Sequence, residues 1–350
     1  MRLLGYVNTG RLLAGALLAA MVALPGSAAF GAGPGDGITV KPARATWSTG
    51  WFQTDIYIKA LKKLGYNVEK PVTLDNPPFY QAVSQGDVDF WVNGWFPLHN
   101  TYRKDFQKGA ETIGYVAKGG ALQGYLIDKK TADKYHITNL DDFKKPEIRK
   151  LFDADGDGKA DLVACPPGWG CELVIAHQLD AYKLRDDIKP IKASYSASMA
   201  DAIGRYKEGK PIFFYTWTPN WTVGVLKPGR DVVWIEVPFP SLPKDQKALE
   251  DKTTISGVKG CVADPCKMGW PANDIRPVVS KKFLEENPAA KKLFEVVRIP
   301  IQDIFAENAK MHAGEDRESD ISRHADEWIA KHQATFNQWV DEAEKAATAM

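Results

Sequence analysis

From residue 38 onward, short β-rich runs alternate with amphipathic helical stretches. Residues 38–40 and 88–92 are apolar-rich runs of strand length, and Gly94 is expected to end the second just before Trp95. Between them, Ile56, Ala60 and Leu64 recur at i, i+4 and i+8, which predicts a helix over 53–64. Further strands are expected at 124–127, 212–215 and 232–237. Helices are expected at 172–184 and at 197–207, the latter after the cap candidate Ser196. A long helical stretch, 320–347, closes the chain. Alternation of this kind predicts an α/β protein with mainly parallel sheets. No internal repeat interrupts it, and only the 33–37 linker is low in complexity.

The N-terminus departs from that pattern. Residues 12–24 form an apolar run behind a weakly basic start with Arg2 and Arg11. Pro25, Gly26 and the small residues Ser27, Ala28 and Ala29 follow, which is the layout of a cleavable signal peptide. Cleavage after Ala29 or Gly31 fits equally. The run is shorter than the roughly 20 apolar residues that a bilayer span needs. No cysteine precedes Cys165, so no thiol near the cleavage site can carry a lipid, and an exported, freely soluble protein is expected.

Composition narrows the class. Lys+Arg 45 against Asp+Glu 44 leaves no electrostatic footprint for nucleic acid. With 44% hydrophobic and 25% charged residues the chain can bury a core, and disorder is excluded. The residues after the leader suffice for two compact units at roughly 100–200 residues each.

The four cysteines allow three connectivities, but the close pairs 165/171 and 261/266 favour two local bridges. Three tryptophans are expected in Gly- and Pro-rich loops beside strand ends: Trp95 in NGWFPLH, Trp169 in CPPGWGC and Trp217 in YTWTP. Ligands of open α/β sheets bind beyond strand ends, so these positions suit a cleft. Trp51, Trp221 and Trp270 are weaker candidates. The 165–171 loop opens onto a helix whose first amides, at Gly170 and Cys171, suit a carboxylate. His99, four residues after Trp95, is a candidate donor, whereas His136, His177, His312, His324 and His332 show no metal-ligand spacing. Asp153, Asp155, Asp157 and Asp161 match the first half of a calcium loop, but Ala164 stands where a bidentate Glu is expected. A solvated acidic turn is the favoured reading, with a structural calcium as the alternative. No G-x-S-x-G, Walker loop, H-E-x-x-H or G-x-G-x-x-G motif nominates an enzyme.

These segments resemble the periplasmic glycine betaine/proline betaine-binding proteins of the ProX type, soluble receptors of ABC importers. The likeness runs from about residue 37 to the C-terminal helix. It is densest at WFPLH (95–99), GYLIDKKT (124–131), LFDADGDGKADL (151–162), PGWGCE (167–172), RYKEGKP (205–211) and YTWTP (215–219). It implies a type II substrate-binding fold of two α/β lobes, joined by two crossing strands near 124–128 and 268–277, with the ligand cleft between them. One lobe would combine 30–126 with 276–350, and the other would span 127–275.

It also implies a site: Trp95, Trp169 and Trp217 as the aromatic box, and His99, Gly170 and Cys171 on the carboxylate. The Cys165–Cys171 bridge has a counterpart in the family, whereas the Cys261–Cys266 pair looks like an addition. Phe96 is bulkier than the family's pattern, which implies a different mouth to the site. A periplasmic monomer serving an inner-membrane permease and its ATPase, without a required cofactor, completes the expectation. A quaternary ammonium has no N–H, so aromatic faces are its natural partners, at ~0.5–2 kcal/mol per ring. Two alternatives remain: a choline, carnitine or sulfonio-analogue receptor, and a periplasmic enzyme acting on a trimethylammonium compound.

Overall fold

The computed structural model describes residues 33–349, so the leader expected at 1–29 lies outside the described residues. The strands that position the site are, in chain order, β1 (Ala43–Ala45), β2 (Phe90–Phe96), β3 (Ala110–Thr112), β4 (Ala117–Asp128), β5 (Ala160–Val163), β6 (Ile188–Ile191), β7 (Phe213–Thr218), β8 (Val232–Ile235) and β9 (Asn273–Ser280). The helices used below are α1 (Trp51–Lys63), α2 (Asn76–Gln85), α3 (Gly170–Ala181), α4 (Tyr195–Lys207), α5 (Glu318–Lys331) and α6 (Gln333–Thr348).

One eight-stranded sheet runs β2–β9–β4–β7–β5–β6, with β8 also on β4 and β3 on β9. Its two halves meet along β4 and β9. The start of β4 pairs with β9 (Ala117↔Ile275, Ala121↔Asn273). Its later residues pair with β7 (Gln123↔Trp217, Tyr125↔Tyr215) and with β8 (Tyr125↔Ile235). β9 also carries β2, with Ile275 opposite Trp95. All of these pairings are antiparallel, whereas β5 pairs in parallel with β6 and β7. The expectation of mainly parallel sheets is therefore corrected to a mixed sheet. A strand buried on both faces is a continuous apolar run whichever way it points, so the pattern does not encode direction.

Three local expectations are also corrected. β2 does not stop at Gly94 but continues through Trp95 to Phe96. A Cβ at Gly94 would lie 2.9 Å from the Arg276 carbonyl oxygen on the paired strand, so this glycine marks a close backbone approach. The C-terminal stretch is two helices, α5 and α6, parted at His332. And α4 begins at Tyr195, with Ser194 rather than Ser196 at its cap position.

The core is rich in large aromatics. Trp91, Trp234 and Trp270 are fully buried, and Trp270 packs on Tyr125 and Tyr215 at 5.0 and 5.5 Å between ring centroids. Trp51 donates to the Ala45 carbonyl under the Arg44 guanidinium. Both local disulfides are formed, with Cα separations of 6.1 Å for Cys165–Cys171 and 6.2 Å for Cys261–Cys266. The second closes a loop that lies along β8: Trp234 N–H donates to the Gly260 carbonyl, and Val262 N–H to that of Trp234. The loop thereby covers backbone groups of β8 that would otherwise form an open edge.

Candidate functional site

Trp95, Trp169 and Trp217 line one recess of about 310 Å³, mouth included. Each comes from a different element. Trp95 is on β2, Trp217 is on β7, and Trp169 is the residue before α3. The expectation that all three lie in loops thus holds for Trp169 alone, and strands fix the other two more rigidly. Trp169 and Trp217 meet edge to face at 5.6 Å and 76°. Tyr195, the first residue of α4, packs 4.9 Å from Trp217 and 6.0 Å from Trp169. Its hydroxyl donates to the Tyr215 carbonyl at 2.9 Å, which pins the ring pair to β7. All three indoles are at least nine-tenths buried.

The opposite end of the recess is polar. Trp169 occupies the cap position of α3 without capping it, so the first amides, at Gly170 and Cys171, have no side-chain acceptor. The His99 ring lies against them: a Cβ on Gly170 would sit 3.1 Å from His99 Cδ2 and 3.4 Å from Asn76 Nδ2. His99 is 1% exposed, and burial pushes its pKa down from 6.5 to about 3. The imidazole is neutral at any physiological pH. Its Nδ1 accepts the Trp95 N–H at 3.2 Å and lies 2.7 Å from the Tyr80 hydroxyl. The single ring proton therefore sits on Nε2; Asn76 Nδ2, 3.2 Å away, is itself a donor and cannot accept it, so both groups are donors in search of an acceptor.

No charged side chain lines this recess, since His99 is neutral there. It can hold a cation only against ring faces, and an anion only by N–H donors. Three further polar atoms there are buried without a partner: Asn76 Oδ1, Gln123 Nε2 and Trp217 Nε1.

Several lining residues escaped the sequence reading. Trp47, 5.3 Å edge-on to Trp169, follows β1 in a Ser/Thr/Gly-rich segment much like those of the other three. That context was its available signal. Tyr215, Gln123 and Asn76 carry no such mark, since helix and strand faces bury many tyrosines and amides. Trp221 lines an outer recess over the site and stacks on His312 at 4.7 Å. Phe96 does not line the recess itself: its ring packs on Phe106 and, at 5.9 Å, edge to face on His99, under Arg103.

The acidic loop is remote in kind from this pocket. Asp153, Asp155 and Asp161 group closely, while Asp157 stays outside that group. Asp153 accepts backbone N–H groups from Gly156, Asp157 and Gly158, and Lys189 bridges Asp155 and Asp157. Asp153, Asp155 and Asp157 thus have partners of their own, from the loop backbone or from Lys189 on β6, while Asp161 accepts the Ala154 N–H with one oxygen and buries the other without a partner.

The chain matches, over residues 38–331, the family of the substrate-binding domain of ABC-type glycine betaine transport systems. It belongs to that family. Members are substrate-binding components rather than enzymes, and they need no cofactor. Among curated relatives, the glycine betaine-binding periplasmic protein OusX of Dickeya dadantii is 47% identical over 318 residues, covering 90% of this chain and 92% of that one. The glycine betaine/proline betaine-binding periplasmic protein of Escherichia coli is 48% identical over 317 residues, covering 89% and 91%.

Solved structures share the two-lobed fold at lower identity. The glycine betaine/L-proline-binding protein of Borrelia burgdorferi gives a TM-score of 0.68 at 17% identity, over 88% of this chain and 99% of that one. Lactococcal OpuAC, closed on glycine betaine, gives 0.64 at 21%, over 87% and 99%. Family membership sets aside the enzyme alternative. Among the described residues, no helix is long and apolar enough to cross a membrane.

Proposed function

We propose that the chain captures glycine betaine, or the related proline betaine, in this recess and hands it to the permease of an ABC importer. One observation carries the reading: a buried pocket walled by indoles and free of charged side chains, closed at one end by an uncapped helix start and a neutral histidine. Trp95, Trp169 and Trp217 face the trimethylammonium, at ~0.5–2 kcal/mol per ring. Rings avoid the desolvation cost that a buried carboxylate would add. His99 Nε2–H and the Gly170 and Cys171 amides receive the carboxylate, which a helix N-terminus favours.

In this reading residues 30–126 with 276–350 form one lobe and 127–275 the other, hinged on β4 and β9. Trp95 and His99 then belong to the first lobe, and Trp169, Gly170, Cys171 and Trp217 to the second. Ligand contacts split in this way stabilise the closed state, which a permease can distinguish from the empty receptor. The protein would act as a periplasmic monomer, after loss of residues 1–29, on a permease and its ATPase. The relatives' periplasmic names support the compartment. The acidic loop is read as a charge-paired turn rather than a calcium site.

Titration calorimetry with glycine betaine, proline betaine, carnitine and choline tests the assignment. Glycine betaine and proline betaine should bind best, and choline, which lacks the carboxylate, at least about tenfold more weakly. Choline binding as tightly as betaine, or no binding by either betaine, would overturn it.

A further inference from the structure

We propose that Asn93 is a positioning residue that aims two indoles of the pocket through one oxygen, and that Trp47 is a fourth wall of that pocket. The proposal rests on the reading of the recess as a quaternary ammonium site. Strand alternation along β2 puts Trp91, Asn93 and Trp95 on one face. Asn93 is buried, and its Oδ1 accepts the indole N–H of Trp95 at 3.0 Å and that of Trp47 at 2.5 Å. An amide oxygen has two lone pairs, so one atom can satisfy both donors. Gly50 makes room for this arrangement: a Cβ there would lie 2.7 Å from Asn93 Cγ.

Trp47 is held on its other sides by rings. It meets Trp91 at 5.7 Å, Trp169 at 5.3 Å and His99 at 6.3 Å. It therefore bridges the aromatic wall and the carboxylate end of the recess. Trp47 lies 46 residues before Asn93 along the chain and Trp95 two after it, and one side chain ties both indoles.

Aim matters because an aromatic ring attracts a cation by its face and repels it by its edge. An indole whose N–H is tied cannot turn its edge inward. A neutral group of the same shape gains its apolar burial in either orientation. Loss of aim should thus cost a cation more than its uncharged isostere.

The test compares glycine betaine with 3,3-dimethylbutyrate, which keeps the carboxylate and replaces the trimethylammonium by a tert-butyl group. Asn93→Leu should weaken glycine betaine about tenfold or more, and dimethylbutyrate less than about threefold. Asn93→Asp keeps an acceptor oxygen in place and should return betaine affinity to within about threefold of the parent. In proton–nitrogen spectra, the indole N–H proton resonances of Trp47 and Trp95 should both move upfield in Asn93→Leu and remain in the downfield, hydrogen-bonded range in Asn93→Asp.

Trp47→Leu and Trp47→Phe cover the possibility that Asn93→Leu does not fold. Leu should discriminate against betaine relative to dimethylbutyrate, and Phe should retain most betaine affinity. Equal loss of both ligands in Asn93→Leu, or Trp47→Leu binding betaine like the parent, would overturn the inference. Failure of the parent protein to bind betaine would instead overturn the proposed function, and the two indole resonances would still read out Asn93.

Discussion

His99 shows how burial decides what a side chain can offer. A charged imidazole would be the stronger donor, but desolvation holds the pKa near 3, so the ring works as a neutral N–H donor. Betaine affinity should therefore not change between pH 8 and 6 on its account. His99→Ala should cost about 1.5–3 kcal/mol of betaine binding, the range for a hydrogen bond to a charged group, and leave choline little changed. Calorimetry on both ligands decides it, and an equal loss would make His99 a support of the fold. Stability follows the same shift. The folded pKa lies below the unfolded value of 6.5, so the unfolded chain takes the proton first, and stability falls as pH drops from 6.5 toward 3. The slope contributed is at most about 1.4 kcal/mol per pH unit. Melting curves between pH 6.5 and 4 should be flatter for His99→Gln than for the parent; parallel curves would mean that the ring protonates freely in the fold.

The start of α3 is the element on which the anion end depends. Its disulfide and its two flanking glycines bring backbone amides against His99, and Gly170 is the tightest point. Gly170→Ala leaves an ordinary helical residue, yet its methyl would enter the space between His99 and Asn76. It should leave the melting temperature within a few degrees and weaken betaine about tenfold or more, because a methyl blocks the close approach. Unchanged affinity in that variant would place the carboxylate elsewhere.

Much of this element was legible in the sequence: CPPGWGC before an apolar helical face marks a constrained loop, an aromatic and a helix start together. Less was legible around β2. Gly94 looked like a terminator, and only the approach of the Arg276 carbonyl shows it to be a strand residue. Strand direction was hidden for a similar reason, since partners such as Ile275 for both Trp95 and Ala117 are chosen by chain crossings far along the sequence. Asn93 was invisible because a buried amide has no periodic signature, whereas Trp47 had its Ser/Thr/Gly-rich context as a signal but no family motif beside it.

At the scale of the whole molecule, the structure holds its halves together around the recess. Asn76 N–H donates to the Gly168 carbonyl, the Trp169 indole to Thr46 Oγ1, and the Gln246 amide to the Leu98 carbonyl. At the outer rim Trp221 stacks flat on His312. Under the proposed lobe boundaries each of these contacts joins one lobe to the other, so this arrangement corresponds to the closed receptor. Closure assembles a site that neither lobe contains, with rings and donors supplied from both sides. A crystal structure of the complex with glycine betaine tests that most directly. The account predicts the trimethylammonium within about 6 Å of the Trp95, Trp169 and Trp217 rings, and the carboxylate on His99 Nε2 and the Gly170 and Cys171 amides. A ligand bound the other way round, or outside this recess, would contradict it.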